Sequence, residues 1–438
     1  MKLTSEKLDF LKAMIAIPSV GGDPVPGAPY GENSRKALSY FLDYAASNGF
    51  ETGVFNDKVG YVDYGTGDKM LAILCHLDVV PAGDGWNTDP FELVVKDDAL
   101  YGRGIVDDKG PACAALFALM RIKEEGIKLP CKVRIIVGSD EERTCGCMHE
   151  YATNPDAVMP DLGFTPDADY PAIFAEKGIL QVKFTGAGVN GVKAQGGFAA
   201  NMVPAAAKII FEADGKTVEL SKQGKSAHGS KPELGVNAIA LLVKEIYAQD
   251  LAIKDIPVIK FINDYLVDVD TKTLADCDIN DQSGVMSVSC DILKIDENEQ
   301  SCTIDIRYPI SAKKDDIMNA LSANASKYNL TASVGAHMDP ICTDKDSEAI
   351  SILSNIWVKY MDKISNFKPE YKTTYAEPIA IGGGTYARHL DNIVAFGPQA
   401  PWNEDQCHQA NEHMTVSDFE TSEDITYEAI IKFSELLG

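Results

Sequence analysis

Basic residues are scarce: 40 Lys and Arg stand against 65 Asp and Glu, a formal net charge of −25 over 438 residues. Phosphate contacts need Lys and Arg, so this balance argues against nucleic acid and against anionic membrane surfaces as partners. Long apolar runs are also missing, and nothing approaches the ~18 uninterrupted apolar residues of a membrane span. The first twenty residues carry Glu6, Lys7, Asp9 and Lys12, which break up the apolar stretch that a secretion signal needs. Ten cysteines are spread along the chain with only Cys145-Gly-Cys147 as a tight pair. Without a secretory context they read as reduced thiols, and one pair alone makes a poor zinc site, so both are assigned structural roles. Repeats, low-complexity tracts and obvious linkers are absent. What remains is an ordinary globular composition, 45% hydrophobic and 24% charged, long enough for two or three domains and expected in the cytoplasm.

The first third alternates helical and strand patterns. Leu8, Leu11, Met14 and Ile15 share a helical face ahead of Pro18, and a second helix through Ala37–Leu42 closes at Asn48-Gly49. Strand-sized apolar runs follow at Met70 to Cys75, Val133 to Val137 and Leu162 to Phe164, with an apolar helix over Pro111 to Gly126 between the first two. Strand, helix, strand at this spacing predicts an α/β sheet covered on both faces. The middle third reads differently. Strands of mixed polarity are predicted at Leu180–Phe184, Thr217–Leu220, Val285–Ile292 and Cys302–Tyr308, with helices at Gly235–Ala248 and Lys313–Tyr328. That pattern predicts an inserted α+β domain over 177–340, flanked by 1–176 and 341–438 of the α/β part. The α/β style resumes with a helix through Ile350–Met361, a strand at Ile393–Phe396 and a closing helix over Ser417–Leu437.

Chemistry-bearing residues cluster after the predicted strands. His76-Leu-Asp78 follows the first buried run, and in an extended chain i and i+2 share a face, so a carboxylate can steady the imidazole. Gly102-Arg-Gly104-Ile-Val-Asp107-Asp108-Lys109-Gly110 opens the helix at Pro111. It begins like a dinucleotide loop, but Asp107 stands where a third glycine belongs and would repel pyrophosphate. Val133–Val137 delivers Asp140-Glu141-Glu142, three carboxylates whose mutual repulsion asks for a cation or for water. Asp167 follows the third strand, and His408 lies in Cys407-His-Gln-Ala-Asn411-Glu412. Taken singly, each has an ordinary structural explanation. Together they sit where active sites of open sheets form, beyond the carboxyl ends of the strands. Two histidines with several carboxylates and no thiols suit zinc, manganese or cobalt, and more carboxylates than one ion needs suggest two ions with a bridging ligand.

These motifs, with Pro166-Asp167-Ala168, resemble the dinuclear zinc peptidase family of aminoacylases, carnosinases and carboxypeptidase G. The stretches His76 to Trp86, Asp167-Ala-Asp169-Tyr-Pro171, Gly382 to Arg388 and His408 to Glu412 are similar to its bacterial dipeptidase V branch. The resemblance spans nearly the whole chain. It implies a catalytic domain carrying the inserted 177–340 segment as a substrate-binding lid. It implies His76 and Asp167 on one ion, Glu142 and His408 on the other, and Asp107 bridging both. Asp78 then orients His76, and Glu141 is the general base. His228 is similar to the residue that polarises the scissile carbonyl, and Asn201, Arg307, Gly383 and Thr385 resemble substrate contacts. Locally, Arg307 shares a strand face with Thr303 and Asp305, so a surface Arg307–Asp305 pair is the alternative. His149, His337, His389 and His413 match no metal position. The expectation is a cytoplasmic metallo-dipeptidase, monomeric or homodimeric, acting on small peptides with two divalent ions, zinc first. Hydrolysis of N-acyl amino acids and a non-catalytic binding protein of the same fold are the rivals.

Overall fold

The buried run Met70–His76 is the centre of the architecture: every residue in it is buried, so both faces of the strand are covered. The computed structural model describes residues 3–213 and 215–438. Contacts divide the chain into two units, one comprising residues up to Phe174, Thr343–Ile379 and Thr385–Gly438, the other Ala175–Cys342 with Ala380–Gly384.

In the first unit Met70–His76 pairs in parallel with Lys132–Gly138 on one side and Leu162–Thr165 on the other, and Ile393–Ala395 continues the parallel set. Val59–Tyr64 and Glu51–Phe55 extend the sheet antiparallel beyond Lys132–Gly138. The mainly apolar helix Lys109–Glu124 is buried along nearly its whole length and packs on Val416–Leu437 and on the central strand. Pro111 sits in its first turn, where its missing N–H costs nothing, and Gly126 follows its end at φ +68°. The first helix, Ser5–Ile15, is capped by Thr4 and ends ahead of Pro18 as its sequence requires. Lys109 is fully buried, and its ammonium donates to the carbonyls of Met14 and Ile17 at 3.0 and 2.6 Å. That contact ties the end of the first helix to the start of the helix that follows Asp107. Among the described residues no helix is long and apolar enough to cross a membrane.

The second unit is a seven-stranded, wholly antiparallel sheet in the order Lys216–Gln223, Ala206–Ala213, Val192–Gly196, Ser287–Ile295, Glu299–Tyr308, Gly178–Ala187, Thr331–Met338. Alternation places Leu180, Val182, Phe184, Ile304 and Ile306 in one core with Leu242, Ile246, Phe261 and Leu321 from the helices. Those helices are Ala238–Ala248, Pro257–Tyr265 and Lys314–Ser326. Pro257–Tyr265 is additional to the sequence reading; its Val258, Ile259, Phe261, Ile262 and Tyr265 form a buried helical stripe too short to stand out in the chain. The strands Val192–Gly196, Ala206–Ala213 and Thr331–Met338 are additional too, because Ala, Gly and Lys at their positions blur the alternation. Ala380–Gly384 belongs to this unit, although the sequence pattern groups it with the C-terminal α/β part.

Candidate metal centre

The parallel strands of the first unit end together, with His76 opposite Gly138 in register, so the segments leaving them converge. Asp107 lies between two imidazoles: its Oδ1 is 2.9 Å from His76 Nε2 and its Oδ2 is 3.1 Å from His408 Nε2. His408 Nε2 is also 3.0 Å from Glu142 Oε2, and Asp167 Oδ1 lies 3.7 Å from His76 Nε2. His76, Asp107 and Glu142 offer ligand atoms all within 4.8 Å of one another. The five side chains His76, Asp107, Glu142, Asp167 and His408 thus come together in one cluster.

The tautomer of His76 follows from its neighbours. Its Nδ1 is 3.0 Å from the backbone carbonyl of Asp78, which can only accept, so Nδ1 carries a proton. In the neutral ring the Nε2 lone pair then faces carboxylate oxygens of Asp107 and Asp167. Two acceptors at 2.9 Å require a proton or a metal cation between them. The charges express the same demand. Burial disfavours a charged His76, yet Asp167, Asp107 and Asp78 outweigh it and hold its pKa well above the imidazole range. Burial likewise opposes a charged His408, but Asp107 and Glu142 push it up to about 11. Asp107 is held below the usual carboxylate range by the two histidines, against its burial. Glu142 is raised by burial and by Asp107, and its buried Oε1 has no hydrogen-bond partner among the described residues. This is a donor set of imidazole and carboxylate that fits divalent cations such as zinc.

Glu141 leaves the same strand end. Burial, with Asp167, Glu142 and Asp107 nearby, lifts its carboxyl well above the ordinary range despite the opposing His76. The carboxylate of Asp78 fixes this loop, accepting from the backbone N–H of Glu141 at Oδ1 and of Glu142 at Oδ2, each at 3.0 Å. The sequence reading assigns the orientation of His76 to that carboxylate. In the structure the carbonyl of Asp78 takes the closer position, and the carboxylate, 3.6 Å from Nδ1, serves chiefly the acidic loop. Asp108 points away from the cluster: its Oδ2 accepts from the His76 backbone N–H at 2.9 Å. Cys147 is buried against the Tyr386 hydroxyl at 3.0 Å, and Cys145 donates to the Glu141 carbonyl. No disulfide joins any of the cysteines among the described residues.

Of the remaining predicted residues, His228, Asn201, Arg307 and Gly383 belong to the second unit and Thr385 to the first. His228 pairs in register with Met202, next to Asn201, on two short strands, and its Nδ1 is 2.6 Å from Ser230 Oγ. Asn201 accepts through its carbonyl from the Gly229 N–H at 2.7 Å. Arg307 is buried rather than on the surface, and its Nε and Nη2 donate to Asp305 while Nη1 donates to the Gly382 carbonyl at 2.7 Å. Gly383 follows in the same segment, and Thr385 is buried with its hydroxyl accepting from the Ala387 N–H. Among the other histidines, His337 meets the Tyr308 hydroxyl and His413 stacks on Tyr101. Two site neighbours escape sequence reasoning: Tyr386, whose ring meets His76 edge-on, and Glu412, which is wholly buried behind the Asp107 loop. Glu412 stands four residues after His408, but nothing in the chain announces its burial.

A model of Peptidase family M20/M25/M40 matches residues 72–432. A candidate dipeptidase of Staphylococcus aureus (strain USA300) is 32% identical over 459 aligned residues, covering 96% of this chain and 95% of its own length. Among solved structures, a di-peptidase from Saccharomyces cerevisiae superposes with a TM-score of 0.64 at 13% identity, over 99% of this chain and 96% of that one. Human carnosine dipeptidase 1 gives 0.60 at 17% identity, over 98% and 96%. At such identities these two likenesses show the fold.

Proposed function

The chain belongs to peptidase family M20/M25/M40, a family of metal-dependent peptide hydrolases, and from that membership we propose a dipeptidase that works with two divalent ions, zinc first. The observation that carries the reading is Asp107, with one carboxylate oxygen turned to each imidazole. In this reading His76 and Asp167 hold one ion, Glu142 and His408 the other, and Asp107 both. Ions bound there supply Lewis acidity to the peptide carbonyl and to an attacking water.

The chain's own residues handle the proton. Glu141 takes one from the water as its oxygen attacks the carbonyl carbon, then gives it to the leaving amine nitrogen. A raised carboxyl pKa suits both halves of that task, since the group must bind the proton before releasing it. Asp78 keeps the base in place through the backbone N–H of Glu141. The second unit serves as the lid. There His228 donates to the developing oxyanion, and Asn201, Arg307 and Gly383, with Thr385 of the first unit, contact the rest of the substrate. Cysteines scattered along the sequence without a secretory pattern support a reducing, cytoplasmic setting.

The test is a rate panel of dipeptides, tripeptides and N-acetyl amino acids on protein stripped of metal and reloaded with zinc, manganese or cobalt. Dipeptides should be cleaved fastest. Faster turnover of N-acetyl amino acids would make the protein a deacylase, and no hydrolysis with any ion would leave a binding protein.

A further inference from the structure

Glu412 is the most heavily engaged acid near the cluster, and it is placed to act on Asp107 through the backbone. Its side chain has no exposure. Oε2 accepts from Arg103 Nη1 at 2.7 Å and from the Gly104 N–H at 2.9 Å. Oε1 accepts from the Val106 N–H at 2.8 Å and from the Asp107 N–H at 3.2 Å. Its backbone carbonyl accepts from the Gly102 N–H at 3.1 Å. One carboxylate therefore gathers the loop from Gly104 to Asp107. That loop turns through Gly104 at φ +91°, where a Cβ would meet Val79 at 2.9 Å.

The same residue joins that loop to the segment bearing His408. Next to it, Asn411 Oδ1 accepts from the Asn87 N–H at 2.7 Å and Nδ2 donates to the Gly85 carbonyl at 3.1 Å. Arg103, buried and paired with Glu412, donates to the Ala82 carbonyl at 3.2 Å and lies over the Trp86 ring. Three segments, 82–87, 102–107 and 408–412, are stitched around one buried ion pair.

We propose that Glu412 is a positioning residue for the metal centre, fixing Asp107 relative to His408. The inference rests on the two-ion reading above. Hydrogen bonds behind a ligand commonly change metal affinity 10- to 100-fold. Here the link runs through the ligand's own backbone N–H and bears on the carboxylate assigned to both ions. Glu412→Gln keeps the size but has one acceptor oxygen. The guanidinium retains that oxygen, so the amide NH₂ must face the N–H groups of Val106 and Asp107, donor against donor, and Asp107 is displaced.

The experiment is zinc affinity by chelator competition on parent, Glu412→Gln and Arg103→Lys, with circular dichroism and thermal unfolding of each metal-free protein. Glu412→Gln should fold and bind zinc about 10- to 100-fold more weakly. Its dipeptide turnover should recover when zinc is raised by the same factor, which a general loss of packing would not allow. Arg103→Lys, which keeps the charge but loses the fork, should weaken binding in the same direction by less. Folded Glu412→Gln with the parent's affinity overturns the proposal. Should Glu412→Gln not fold, unchanged affinity in Arg103→Lys overturns it instead. A parent that binds no zinc, manganese or cobalt refutes the two-ion reading itself.

Discussion

Asp305 grips the guanidinium of Arg307: Nη2 donates to its Oδ2 at 2.7 Å and Nε to its Oδ1 at 3.1 Å, with both side chains buried. The two residues stand two apart on the strand Glu299–Tyr308 and so share a face. With Nη1 also held by the Gly382 carbonyl, the edge of the fork that includes Nε is spent. Only the Nη1 and Nη2 hydrogens not used in these bonds can meet a substrate carboxylate, which fixes its direction of approach. Arg307→Lys should therefore lower kcat/KM for dipeptides by about tenfold or more, the scale of a lost charged hydrogen bond. The C-terminal amides of the same dipeptides, lacking that carboxylate, should lose much less. Equal losses on both would assign Arg307 to holding the Gly382 segment rather than the substrate.

Glu141 and Glu142 are adjacent, yet only Glu142 meets His408. Glu141→Gln should retain bound metal and lose at least about 10²-fold in kcat, the low end for removing a general base. Glu142→Gln should lose metal. Metal analysis beside single-turnover rates separates the two, and the opposite pattern would exchange their roles.

Asp291, buried beside the Arg307–Asp305 pair, gives a pH signature. Burial pushes its carboxyl up to about 7; nearby Asp305 adds to the rise, while Ser289 and Arg307 oppose it. Its Oδ2 has no hydrogen-bond partner among the described residues. An unfolded aspartate titrates near about 3.9, so between roughly pH 4 and 7 the folded protein holds the extra proton, and stability falls as pH rises through that window. Asp291→Asn cannot ionise. It should be more stable than the parent at pH 8, by about 4 kcal/mol at most, with the gap closing toward pH 4. Urea unfolding across that range is the check, and a difference independent of pH would count against the assignment.

How much of this was legible in the chain depended on how local the signal was. Met70–His76 is buried on both faces, so its unbroken apolar run betrays a central parallel strand. His76, Glu141, Glu142 and Asp167 each follow a strand end visible in the sequence, and Asp107 stands at the entrance of the apolar helix that opens at Pro111. The i, i+2 spacing of Asp305 and Arg307 showed a shared face but not that the face is buried, because that depends on which strands lie alongside. Glu412 is further from reach. Its role depends on a loop some three hundred residues earlier in the chain, and an acidic residue in a loop ordinarily reads as solvated. Asp78 shows the same limit: spacing put it beside His76, while only the fold decides between its carbonyl and its carboxylate.

Asp107 offers the most demanding test, because protons and metal ions compete for the same atoms. Without metal, Asp107 and Glu142 hold His408 up at about 11, and Asp167 with Asp107 holds His76 well above its ordinary range. His408 is then protonated at pH 8, where an unperturbed histidine would be neutral. Ligation needs the neutral ring, so loading the parent at pH 8 should release at least about one proton per chain. Asp107→Asn removes the charge shared by both histidines, and its amide has a single acceptor oxygen. Proton release should fall below that of the parent, and bound metal should drop from about two ions per chain to one or none. Thermal unfolding should follow, since saturating metal at about 1,000 times Kd contributes about 4 kcal/mol per site and the variant loses at least one site. Calorimetric titration with zinc in buffers of different ionisation enthalpy reads stoichiometry and protons together. A variant that binds as many ions and releases as many protons as the parent would remove Asp107 from the centre of the site.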